Sequence, residues 1–113
     1  MTSPSVTARS MPSRPEIVCI CGSMRFAEDM RAVSQSLTLA GFIVLMPAEI
    51  DAPITEEQKA ALGELHLRRI DLADRVFVVN QRTHFGESTL REIAYAEAAG
   101  KPVTFVGTAW GSQ

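Results

Sequence analysis

Four short apolar runs, "EIVCIC", "FIVLMP", "RVFVVN" and "VTFVG", are separated by three segments of helical length, and this alternation constrains the fold more than any other feature of the chain. Each run is continuous rather than alternating in polarity, the pattern of a strand buried on both faces. A helix between consecutive strands makes the sheet parallel, because only a long crossover returns the chain to the same end. "SMRFAEDMRAVSQSLTLAG" sets Phe26, Met30, Val33, Leu37 and Ala40 at spacings of three and four, and Gly41 stops that helix. "TEEQKAALGELHLRRIDLAD" opens with Thr55 and Gln58 in a capping-box arrangement. The third helix, around "STLREIAYAEAAG", runs to Gly100, with Pro102 ahead of the last strand. Right-handed crossovers then predict a flavodoxin-like α/β sandwich, a small parallel sheet of about four strands in the order 2-1-3-4 with helices on both faces.

A chain of 113 residues is one small domain. Residues 1–15, with three prolines, four serines and no periodicity, read as a disordered tail, and residues 16–113 as a single α/β domain. The 13 acidic and 11 basic residues are scattered, which speaks against a nucleic-acid polymer as partner. No apolar run is long enough for a bilayer and no signal-peptide stretch opens the chain, so no membrane association is expected. Cys19 and Cys21 share one face of a strand, where they cannot easily bond to each other, and read as small buried hydrophobes of a cytoplasmic protein. An exposed sheet edge on a short chain favours a homodimer or higher homo-oligomer.

In the predicted strand order the loops after strands 1 and 3 lie side by side at the topological switch point, where open α/β sheets bind ligands. "CGSMR" offers Gly22, Ser23, Met24 and Arg25; "NQRTHFGEST" offers Asn80, Gly86, Ser88 and Thr89. Two helix starts rich in hydroxyls and free N–H groups suit a phosphorylated or sugar-bearing small molecule. No dinucleotide-binding glycine motif, P-loop or serine-nucleophile elbow is present. His66 and His84 have no acidic or thiol partner at ligand spacing, so neither a metal nor a cofactor is expected.

Glu92 admits two readings. With Thr89 it forms a capping box, Thr89 being the cap. It also stacks with Tyr95, Ala96 and Ala99 on a largely apolar helix, so a carboxylate aimed into the site fits equally well. Its place near the helix start would favour the ionised form that a nucleophile needs. Among possible acid/base partners (Asp51, Asp71, Asp74, Glu87 and His66), Asp71 and Asp74 fall at the opposite edge of the sheet, as caps and turn formers. His66 lies roughly 12 Å back along its helix, toward the site.

"CGSMR", "LADRVFVV" and "STLREIAYA" together resemble the nucleoside 2-deoxyribosyltransferase superfamily, in particular the 2′-deoxynucleoside 5′-monophosphate N-hydrolases and related cytidine-monophosphate hydrolases. A group of short bacterial and phage proteins shares the pattern "ICGSMRF…HLRRIDLAD…GESTLREIAYA". The resemblance covers roughly Val18 to Val103. It implies cleavage of an N-glycosidic bond, by hydrolysis or base exchange, with Glu92 as nucleophile at C1′. It also implies 5′-group contacts from Ser23, Arg25, Gly86 and Ser88. The family's aspartate that assists the leaving base aligns with His66, a histidine able to do acid/base work. A nucleotide-binding or sensing module that keeps the pocket without catalysis is the alternative.

Overall fold

The computed structural model describes residues 14–79 and 86–106. Residues 1–13 of the expected tail and Asn80 and His84 of the loop after the third strand lie outside the described residues. The elements follow the expected order: β1 (Ile17–Cys21), a 3₁₀ turn (Met24–Phe26), α1 (Ala27–Leu39), β2 (Ile43–Leu45), α2 (Glu56–Leu72), β3 (Arg75–Val79), α3 (Glu87–Ala98) and β4 (Val103–Val106). The strands form one parallel sheet in the order β2-β1-β3-β4, the flavodoxin-like order read from the sequence. Among the described residues no helix is long and apolar enough to cross a membrane.

Side-chain alternation on the two central strands splits the core into two layers. Val18, Ile20, Phe77 and Val79 point to one face, where Met30, Val33 and Leu37 of α1 cover them. Cys19, Cys21, Val76 and Val78 point to the other, against Leu67 and Ile70 of α2 and Ile93 and Ala96 of α3. Helices α1 and α3, which follow the neighbouring strands β1 and β3, therefore leave the sheet on opposite sides. That divergence opens the crevice at the strand ends.

Local signals terminate the helices. Helix α1 ends in a Schellman motif: Phe42 N–H donates to Leu37 O and Gly41 N–H to Thr38 O, each at 3.0 Å, with Gly41 at φ +102°. The same pair of bonds closes α3, from Lys101 to Ala96 and Gly100 to Glu97, with Gly100 at φ +76°. Helix α2 begins with the expected capping box, Gln58 N–H to Thr55 Oγ1 at 3.0 Å and Thr55 N–H to Gln58 Oε1 at 2.9 Å.

Two further contacts fix β1. At its C-terminal end Gly22 sits so close to β3 that a Cβ there would lie 2.5 Å from the Val79 carbonyl oxygen and 3.2 Å from Met30 Sδ. At its N-terminal end Asp74, just ahead of β3, accepts from Ile17 N–H at 2.8 Å and pairs with Arg14 at 2.8 Å. The chain is thus tied down at Arg14. Asp74 acts as a clamp between chain segments as well as a turn residue. These bonds hold the Asp74 carboxyl well below its usual range, first the hydrogen bond from Arg14 and then that from Ile17.

Replacing Gly22 by Ala should cost about 1–3 kcal/mol, because the backbone carbonyl it meets cannot turn aside; urea denaturation measures the loss. Asp74 has a depressed pKa in the folded state, so its contribution is full above the unfolded carboxyl value and fades as pH falls through the folded one. Asp74→Asn should therefore be less stable than the parent at neutral pH. The difference should close on acidification below about pH 4, as followed by thermal melts across pH.

Candidate active site

The crevice above β1 and β3 is an open cleft of about 680 Å³. Register makes it: Cys21 pairs with Val78, so the two strands end side by side, and the turn after β1 faces the start of α3. One wall is the β1–α1 turn, with Gly22, Ser23 and Met24; the facing wall is the start of α3, with Gly86, Ser88, Thr89 and Glu92. With Glu87, weighed above as an acid/base partner and also in the lining, eight of the residues singled out in the sequence are thus brought together. Arg25 stands apart from the lining, its guanidinium 5.7 Å above the Phe26 ring. Ser23 Oγ accepts from Arg25 N–H at 3.3 Å and so caps the 3₁₀ turn.

Other lining residues were not foreseen. Ile50 and Ile54, from the connection between β2 and α2, give the cleft an apolar side, and Lys59 of α2 brings a cation to it. Lys59, Gly63 and His66 lie at spacings of four and three on one stripe of α2, a signal available in the sequence. That Ile50 and Ile54 turn toward the site is a property of the connection's path, which no periodicity encodes.

The capping reading of Glu92 gives way. Helix α3 starts at Glu87 with Gly86 as its N-cap, so Thr89 is a buried residue of the first turn and not the cap. Glu92 is the sixth residue of the helix, too deep to bond the free N–H groups at its start. The carboxylate lines the cleft instead. Helix position does not favour its charge there: burial holds the Glu92 pKa above the ordinary value. The charge of His66, the Cys21 thiol and the charge of Arg91 pull it back only in part.

Behind Glu92, away from the cleft, lies a buried polar cluster. His66 is 3% exposed, and its Nε2 lies 3.1 Å from Ile20 O, 3.5 Å from Cys21 Sγ and 3.6 Å from Cys19 Sγ. With a carbonyl oxygen and two sulfurs as neighbours, Nε2 carries the proton and donates it to Ile20 O. On the other side of the ring Nδ1 faces Arg69 at 3.4 Å. The sequence left His66 without a thiol partner because β1 is distant along the chain; the sheet supplies two. Both cysteines are free and buried, as expected, yet they are not inert filler. Cys19 is pulled down to about 6 by its hydrogen bond with Cys21, against burial and with help from His66. Cys21 keeps its proton, held up by Cys19 first, then by burial and by Glu92. Burial alone would lower His66, but the Cys19 bond and charge, with Glu92, outweigh it and raise its pKa.

The fold is one that solved 2-deoxyribosyltransferases share. No family model matches the chain, and no curated protein matches it in sequence. Among solved structures, the 2-deoxyribosyltransferase of Bacillus psychrosaccharolyticus superposes with a TM-score of 0.65 at 18% identity, over 79% of this chain and 70% of that one. A 2-deoxyribosyltransferase from Leishmania mexicana gives a TM-score of 0.59, again at 18% identity, over 82% of this chain and 65% of that one. At that identity the likeness establishes the fold.

Proposed function

We propose that the protein cleaves the N-glycosidic bond of a nucleoside or nucleoside 5′-monophosphate, with Glu92 as nucleophile. The observation that carries this reading is Glu92, the one partly buried carboxylate of the three (with the exposed Glu56 and Glu87) that line the cleft between two helix starts. Attack of the carboxylate on C1′ forms a glycosyl ester; the bonding pair of the broken bond leaves with the base, which takes up a proton. Water then attacks C1′ to give the free sugar, or a second base does so to give an exchanged nucleoside. The N–H groups and hydroxyls of Gly22, Ser23, Gly86 and Ser88 suit a 5′-phosphate, and the Lys59 charge favours the monophosphate over the free nucleoside.

His66 enters this reading differently from the family's aspartate. Buried behind Glu92, it does not line the cleft, so it positions and charges the nucleophile's surroundings rather than protonating the leaving base. The same observation is what favours a second reading, a nucleotide-binding module without turnover. The two fold-level relatives are transferases by name, which supports the first.

Incubation with a panel of nucleosides and monophosphates, followed by chromatography, should release free base. Glu92→Gln and Glu92→Ala should each lower that rate by roughly 10³-fold or more. Release unchanged in both variants would remove Glu92 from the chemistry; tight nucleotide binding without release would establish the binding module. Separately, Lys59→Ala should raise KM for monophosphates by about tenfold while sparing free nucleosides. Steady-state kinetics on matched substrate pairs would read the difference.

A further inference from the structure

We propose that Cys19 Sγ, Cys21 Sγ and His66 Nε2 form a binding site for a thiophilic d¹⁰ cation, zinc, beneath the floor of the cleft. Its grounds are the geometry of these three donors and not the glycosidic reading, with which it shares only Glu92 at the cleft side. The three donor atoms lie within 4.8 Å of one another, and all three residues are buried. A tetrahedral zinc with standard bond lengths to sulfur and imidazole nitrogen requires S···N separations of about 3.5–3.6 Å. The separations here are 3.5 and 3.6 Å, so the histidine–sulfur edges already match, and what loading gives up is the Nε2–H bond to Ile20 O at 3.1 Å.

Rigidity adds to this match. Both cysteines belong to β1, hydrogen-bonded on either side by β2 and β3, so their Cα positions are fixed before any ion arrives. Two thiolates and an imidazole form a soft donor set, which excludes magnesium and calcium and selects zinc-like ions. Access is from the cleft: Glu92 lies beside Cys21 and also lines the cleft, so a fourth position on that side is open to water, or to the Glu92 carboxylate after a side-chain shift.

Loading has a defined proton inventory. Each protonated thiol releases its proton to solvent, and the ring proton moves from Nε2, which binds the ion, to Nδ1. Nδ1 then can no longer accept from Arg69, whose guanidinium must swing away from its 3.4 Å contact. Arg69 therefore opposes the ion, by charge and by hydrogen bonding. Its removal should tighten binding.

The test is titration of the reduced full chain with cobalt(II), then displacement by zinc. Cys19 and Cys21 are the only two cysteines of the sequence, so a thiolate-to-cobalt charge-transfer band identifies them with no variant needed. The expected result is one equivalent bound, that band together with the visible bands of a tetrahedral site, and their loss on adding zinc. Arg69→Ala should bind several-fold more tightly, and Cys19→Ser or Cys21→Ser should lose the charge-transfer band in part or whole. Cobalt binding without a thiolate band, or no binding at micromolar protein, would overturn the proposal. Neither outcome depends on any catalytic activity, so a failure here is separate from a failure of the glycosidase reading.

Discussion

The parallel pairing of β1 with β3 is the contact on which everything else in the molecule depends. It sets Cys21 opposite Val78, so both strands end together, and it brings Gly22 against the Val79 carbonyl. No side chain fits between them. Because the helices after these strands cover opposite faces, α1 and α3 start on opposite sides of the strand ends and a cleft follows from topology alone. The pairing also decides what lies under that cleft. Alternation turns residues 18 and 20 toward α1, so 19 and 21 must face α2 and α3, and both sulfurs meet His66 there.

Much of this arrangement was written locally. Strand identity, the parallel order and the two Schellman ends follow from apolar runs and from Gly41 and Gly100 at the end of each helix. The segments that line the cleft were recoverable as well, because β1 and β3 could be recognised as neighbours without knowing any distance. Glu92 was legible as a pocket residue only through the apolar character of its helix. The capping box at Thr89 misled for a physical reason. A capping box is a four-residue pattern that any helix can contain, and the helix actually has its N-cap at Gly86, three residues earlier.

What the sequence could not show were contacts across elements. His66 and Cys19 are 47 residues apart, and only the fold makes them neighbours. The same holds for Asp74, which a turn-former reading places correctly but whose bonds to Ile17 and Arg14 cross 57 and 60 residues. Ile50 and Ile54 belong to a connection without regular structure, so no period marks the face they present to the cleft.

Glu92 joins the two halves of this design, the open cleft and the closed cluster. A carboxylate in water is a poor nucleophile because solvation holds its charge; partial burial strips some of that solvent and raises its basicity. Taken too far, burial would leave the acid protonated and useless as a nucleophile. The cluster behind it supplies the counterweight: the charge of His66 and the hydrogen bond of the Cys21 thiol favour the ionised form, and Arg91 adds a second cationic influence from the helix itself. Cys19 works against them, since its thiolate is a second negative charge close by. A cation held between Cys19, Cys21 and His66 would neutralise that negative charge while competing for the same carboxylate. An ion in the proposed site that drew on Glu92 would thereby compete with the role proposed for Glu92 in the cleft.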